Sequence, residues 1–281
     1  MSRRREPQPR ARRGAEPQPR TRRGADSRGQ GAGLGGEQVE GRRAVRELLL
    51  AGRRRVRSVW IAEGRDDQGS LDDIEQLAAT RGVRVRRVDR ARLAAEARTD
   101  APQGVLARAE PVAPADLDEL LASPQAFLLA LDGLTDPGNL GAILRVAGAA
   151  GVTGVIVGRH RSAPLTPAAV KAAAGAVEHV PVASVAGIPA TLDRARRAGV
   201  WTVGLDAGGS ASVFDLTVGD QPVVLVVGAE GRGLARLTRE RCDVLAAIPM
   251  PGPVDSLNVA TAAAVGCFEV VRRRSLGAAP G

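Results

Sequence analysis

Tyrosine is absent from this chain of 281 residues, which has two tryptophans and three phenylalanines. A binding surface made of aromatic platforms, on which single-stranded bases stack, is therefore not expected. The two histidines, His160 and His179, leave little material for a histidine-based triad or a metal site. Cys242 and Cys267 have no second pair, so neither a disulfide framework nor a zinc site is suggested, and both read as reduced thiols buried in a cytoplasmic protein. No apolar run approaches the ~20 residues of a membrane span. The N-terminal arginines are followed by no apolar h-region, so no secretory signal is expected. Lysine occurs once, at Lys171, so the positive charge is almost all arginine.

That charge is unevenly spread. Of the net +9, residues 1–36 hold +7, from ten arginines against Glu6, Glu16 and Asp26. This segment has low complexity, and its residues 6–15 are echoed by 16–25. With almost nothing apolar to bury it cannot offset its ordering entropy, which predicts a disordered arm. Such an arm would bind RNA phosphates without sequence preference, or be a dispensable extension.

With 44% apolar residues, the rest of the chain can build one large or two modest cores. Residues 37–110 read as a small α/β domain: helix 42–51 before Gly52, strand 56–61, helix 71–81 behind a capping-box spacing at Ser70 and Asp73, strand 83–88, helix 89–97 and strand 104–108. Arg84, Arg86 and Arg87 are either an RNA-facing patch or a plain solvated strand face. Residues 111–124, rich in proline, read as a linker with one short helical piece.

A second domain covers 125–276, with a tail at 277–281. Strand 126–131 leads through a Gly-Pro turn to a helix from about Asn139. Strands at 155–157, 180–183 and 200–204 then alternate with helices at 166–176 and 190–198. A parallel sheet with helices on both faces follows, with ligand groups expected at the C-terminal strand ends. The run Val223-Val224-Leu225-Val226-Val227 is a strand buried on both faces and enters the turn Gly228-Ala229-Glu230-Gly231-Arg232-Gly233. A second short run, 245–248, precedes Pro249-Met250-Pro251-Gly252-Pro253, and an apolar helix is predicted over 257–271.

Taken singly, these residues say little. The turn spacing is G-x-x-G-x-G, not the G-x-G-x-x-G of dinucleotide folds, which argues against a dehydrogenase. Glu230 alone would be a solvated turn carboxylate, Arg145 an exposed helix residue and Ser256 an N-cap of the terminal helix.

Together, three ordered motifs resemble the SpoU (TrmH-like) branch of the SPOUT RNA 2′-O-ribose methyltransferases. They are Asn139-Leu140-Gly141-Ala142-Ile143-Leu144-Arg145, then 227–234, then Ile248-Pro249-Met250 through Ser256-Leu257-Asn258-Val259-Ala260. The resemblance implies an α/β, parallel-sheet SPOUT domain with a C-terminal trefoil knot, preceded by a small ribosomal-protein-like substrate-binding domain. It implies S-adenosylmethionine as cofactor, held at Gly228, Ile248 and Leu257 with Leu205 and Met250 nearby, and no metal. It also implies a homodimer with the site near its interface. By the same resemblance Arg145 is catalytic. Because its guanidinium stays charged, it would grip an RNA phosphate and stabilise the developing alkoxide. Asn139, Glu230, Ser256 and Asn258 would orient the ribose and the loop, with Glu230 the second candidate for the proton.

The small domain and the Ile248-Pro249-Met250 stretch look most like members acting on a guanosine of 23S rRNA or a ribosome precursor. Where many members have a histidine, Ala101 precedes Pro102-Gln103-Gly104-Val105. The alternatives are the same chemistry on tRNA, a ribosome-protecting resistance methylation, and a non-catalytic RNA-binding assembly factor.

Overall fold

The computed structural model describes residues 33–64 and 68–277. The predicted arm and tail therefore lie mostly outside the described residues. The arm's last residues do not: Leu34 N donates to Val112 O at 2.8 Å and Gly36 N to Leu165 O at 2.8 Å.

The small domain contains β1 (Gln38–Glu40), α1 (Arg42–Ala51), β2 (Val56–Ala62), α2 (Gln68–Thr80), β3 (Val85–Val88), α3 (Arg90–Glu96) and β4 (Val105–Ala109). Its sheet runs β1-β4-β2-β3, antiparallel except where β2 meets β3. Helix α1 forms because Ala44, Val45, Leu48 and Leu49 recur on one face, and it stops where Gly52 takes φ 59°. Helix α2 begins at Gln68, so Ser70 lies within the helix and not before it. The apolar stripe of Leu71, Ile74 and Ala78 sets the buried face but not the first helical residue. Glu40 is fully buried, and its carboxylate accepts from Gln38 Nε2, Arg98 N and Thr99 N. That pairing ties the segment before β4 to β1.

The segment read as a linker is packed. Its helix α4 (Leu117–Leu121) starts at Asp116, whose side chain accepts from Asp118 N and Glu119 N, and it buries Leu117 and Leu121.

The larger domain follows with β5 (Phe127–Asp132), α5 (Pro137–Ala150), β6 (Gly154–Gly158), α6 (Pro167–Ala172), β7 (Val182–Val185), α7 (Ile188–Arg197), β8 (Trp201–Leu205), β9 (Ala211–Ser212), β10 (Val223–Gly228), α8 (Arg236–Arg241), β11 (Val244–Ala247) and α9 (Val259–Gly277). The sheet order is β7-β6-β5-β10-β8-β11-β9, and every pairing is parallel.

Strand alternation sorts the core into two layers. Phe127, Leu129 and Leu131 of β5, with Val223, Leu225 and Val227 of β10, join α5, α6 and α9 in one cluster that continues into the small domain. Leu128, Ala130, Val224 and Val226 face α4 and α7 in the other. The predicted sheet with helices on both faces is thus the observed one.

In the larger domain helix boundaries differ from expectation at α5, α6, α7 and α9. α5 starts at Pro137, two residues before Asn139, because Asp136 accepts from Asn139 N at 2.6 Å and proline suits the first helical position. α6 ends at Ala172, since Ala174 and Gly175 take φ 50° and 93°. α9 starts at Val259, where Asn258 Oδ1 accepts from Ala260 N at 2.9 Å. Asn258, not Ser256, therefore fills the capping role. α9 buries Val259, Ala263, Cys267 and Val270 but leaves Phe268 49% exposed, so its apolar composition does not bury every side.

Both thiols are free, and burial pushes each up to about 12, so neither is a thiolate at neutral pH. Among the described residues no helix is long and apolar enough to cross a membrane. No group of His, Cys, Asp and Glu among them could hold a metal ion.

Candidate active site

Strands β5, β8, β10 and β11 all end on the same side of the sheet, and the loops that follow meet there. After β10 the chain turns back on itself: Gly233 N donates to Ala229 O at 2.8 Å and Ala229 N to Gly233 O at 3.1 Å. The G-x-x-G-x-G spacing has a steric origin. Gly231 and Gly233 take φ 74° and 64°, and a Cβ on Gly228 would sit 2.0 Å from the Gly233 carbonyl carbon.

This turn and the segment 248–258 enclose a cavity of about 870 Å³. Leu205, Ile248, Met250 and Leu257 supply apolar wall, and Gly228, Ser256 and Asn258 also line it. All five expected cofactor residues therefore meet in one place. Among the described residues, the backbone groups of 249–257 bond to no other backbone group. A long stretch of donors and acceptors is free to meet a ligand.

On the rim, three of the expected catalytic residues form a chain of hydrogen bonds. Asn139 Nδ2 donates to Glu230 Oε2 at 3.1 Å, and Asn258 Nδ2 donates to Asn139 Oδ1 at 3.0 Å. Because Asn258 also caps α9, the relay joins the starts of α5 and α9 to the β10 turn. The geometry also fixes the amide orientations: Asn139 spends its oxygen on Asn258, so its nitrogen must face the carboxylate. Ser256 lines the cavity, and its Oγ donates to Asp255 Oδ1 at 3.1 Å.

Arg145 is not part of this cluster. It lies six residues beyond Asn139 on α5 and is exposed, and its side chain makes no hydrogen bond or ion pair among the described residues. The sequence reading also missed Asp206 and Arg239, which line the cavity with an ion pair at 3.4 Å. Asp206 Oδ1 accepts from Gly208 N at 2.9 Å, shaping the turn after β8. The one signal for Asp206 was its place directly after a buried strand.

Gly228 offers a direct check of the cavity. A Gly228→Ala variant must push the added methyl against backbone at Gly233 and Leu234, which cannot rotate away. Ligand affinity measured by titration calorimetry is expected to fall at least about tenfold, with a stability loss of about 1–3 kcal/mol from overpacking. Wild-type affinity in that variant would show that the turn does not shape the site.

A parallel α/β sheet with a ligand cavity and a polar relay at its C-terminal strand ends defines a class of protein that binds a nucleotide-sized ligand at the strand ends. Residues 126–268 match the SpoU rRNA Methylase family, and residues 38–115 match the RNA 2′-O ribose methyltransferase substrate binding family. The chain belongs to the SpoU rRNA methylase family and is an RNA 2′-O-methyltransferase. It is 42% identical over 246 residues to the 23S rRNA (guanosine-2′-O-)-methyltransferase RlmB of Pseudomonas syringae pv. tomato, covering 85% of this chain and 96% of that one. It is 41% identical to an uncharacterized tRNA/rRNA methyltransferase of Mycolicibacterium gilvum, over 85% of this chain and 77% of that protein. Among solved structures, the SpoU methyltransferase AviRb from Streptomyces viridochromogenes, in complex with AdoMet, matches with TM-score 0.70 and 32% identity. That alignment covers 85% of this chain and 90% of the other.

Proposed function

We propose that this chain transfers the methyl group of S-adenosylmethionine to the ribose 2′-hydroxyl of a guanosine in 23S rRNA. The observation that carries this reading is the Glu230–Asn139–Asn258 relay, which stands on the rim of the cavity that gathers Leu205, Gly228, Ile248, Met250 and Leu257. The cavity's volume and mixed lining suit a nucleoside with a polar tail. The names of the RlmB relatives and the AdoMet bound to AviRb support the choice of substrate and cofactor.

When bound, S-adenosylmethionine supplies an electrophilic sulfonium methyl, so the protein's task is to align the hydroxyl and help remove its proton. In this reading the free backbone around Ile248 and Leu257, with Gly228 beneath, holds the cofactor. Glu230 has one oxygen fixed by Asn139, which leaves the other free to accept a hydrogen bond from the 2′-hydroxyl. Ser256 and Asn258 orient the ribose from the opposite wall. Arg145 carries a permanent charge and no partner among the described residues, which suits it to hold the RNA phosphate and stabilise negative charge on the ribose oxygen.

The same reading includes a homodimer in the cytoplasm. The exposed Phe268 on α9 supports the dimer, as does the distance in sequence and along α5 that separates Arg145 from the relay. It also includes the C-terminal knot, supported by a strand order in which β10 enters between β5 and β8 after the chain has passed out to β9.

The test is transfer of labelled methyl from S-adenosylmethionine to total rRNA and, separately, total tRNA, both from cells lacking this protein, followed by nucleoside analysis. 2′-O-methylguanosine in 23S rRNA alone is the expected result. Label only in tRNA would move the substrate, and cofactor binding without label in either RNA would overturn the reading.

A further inference from the structure

A second concavity, of about 500 Å³, lies on the small domain, where the C-terminal ends of α1 and α2 meet the starts of β2 and β3. Arg54, Arg55, Arg57, Arg81 and Arg84 line it, and among the described residues no carboxylate does. Two of these arginines have structural duties. Arg54 is paired with Glu178 at 2.6 Å, and Arg81 Nη2 donates to Leu50 O at 2.7 Å at the end of α1. The other three, Arg55, Arg57 and Arg84, are exposed, and their side chains have no hydrogen-bond or ion-pair partner among the described residues. Helix capping and fold maintenance therefore account for two of the five charges and leave three unexplained. Crowding like charges around one hollow raises its positive potential and costs free energy unless an anion neutralises it.

We propose that this hollow is a docking site for the phosphodiester backbone of the RNA substrate, separate from the methyl-transfer cavity. Three further features favour a polymer of phosphates over a small anion. Arg84 directly precedes the edge strand β3, and Arg86 follows two positions later within it. The guanidiniums of Arg86, Arg92 and Arg108 stand 5.5, 5.8 and 5.7 Å from the centroid of the Trp60 ring. A second basic cluster thus lies close along the chain to the lining of the hollow. The half-buried Val56 and Val83 also line the hollow, giving a sugar or base an apolar contact beside the charges. The predicted strand patch is redistributed accordingly. Arg84 lines the hollow, Arg86 lies over Trp60, and Arg87 turns to the other face, where it pairs with Glu75.

This inference rests on the reading that the chain acts on RNA, and its test separates the two. The full chain and an Arg55→Ala/Arg57→Ala/Arg84→Ala variant are compared for equilibrium binding to a 23S rRNA transcript across a salt series. Methyl transfer, cofactor affinity and thermal unfolding are measured alongside. The variant is expected to bind RNA about tenfold more weakly and to lower the slope of log affinity against log salt by about 2 to 3, close to one per lost phosphate contact. KM for RNA should rise with kcat at saturation retained, while cofactor affinity and unfolding temperature stay at wild-type values. The matching triple lysine variant should recover most of the salt slope. An unchanged affinity and slope would overturn the proposal, and so would failure of the wild-type chain to bind the transcript, leaving an acidic protein partner as the occupant. If the wild-type chain binds tightly and transfers no methyl, the catalytic reading fails while the binding comparison still decides the docking site.

Discussion

Replacing Glu178 by alanine is expected to destabilise the chain by about 3–5 kcal/mol, the cost of leaving one member of a buried ion pair alone. Arg54 and Glu178 are 8% and 3% exposed, and they meet through two hydrogen bonds, Nε to Oε2 at 3.0 Å and Nη2 to Oε1 at 2.6 Å. Arg54 Nη1 also donates to Gly36 O and Glu110 O, both at 2.7 Å. One guanidinium thus ties the entry and exit of the small domain to the 3-10 turn at Ala176–Glu178 of the larger one. Without the carboxylate, the cation stays buried against carbonyls that cannot neutralise it. Denaturant unfolding is the measurement, and a paired Arg54→Met/Glu178→Met variant should be less destabilised than Glu178→Ala, because it removes both charges together. A loss below about 1 kcal/mol for Glu178→Ala would mean that water reaches the pair and screens it.

Replacing Arg145 by alanine should have the opposite profile, with catalysis lost and the fold kept. Its side chain is exposed and has no partner among the described residues, so the stability change should stay within about 0.5 kcal/mol. Transfer is expected to fall by about 10²–10³, the usual cost of removing one preorganised group that stabilises charge in the transition state. Cofactor affinity should be unchanged, because Arg145 does not line the cavity. Single-turnover transfer at saturating RNA, with calorimetric cofactor binding, separates the two effects. Loss of cofactor binding, or transfer at the wild-type rate, would remove Arg145 from the mechanism. Glu230→Gln gives a useful contrast: it retains a hydrogen-bonding group beside Asn139 but cannot take a proton.

The parts of the site legible in the sequence were those with a local cause. Buried strands such as 223–228 show as unbroken apolar runs, and the turn after β10 shows as glycines at positions that only glycine tolerates. Helix starts proved less legible. The Asp136 cap and Pro137 begin α5 earlier than the apolar pattern suggests, and Asn258 takes the capping role given to Ser256. Asp206 was missed because a single carboxylate after a strand has no distinctive spacing. Its importance comes from Arg239, which lies 33 positions later and reaches it only across the sheet.

By itself the sequence determined the alternation of strands and helices and the packing of helices on both faces of the sheet, which follow from periodicity and from backbone rules that act within a few residues. The resemblance carried by the three motifs implied five of the residues that line the cavity. Only the tertiary structure decided that Asn139 would bond Glu230 and Asn258, 91 and 119 positions away, that Arg145 would stand outside the cavity, and that three arginine side chains of the small domain would have no partner among the described residues. Each depends on where β10 enters the sheet and on how the small domain is clamped to it. Those contacts form between segments far apart in the chain, where no local pattern records the pairing.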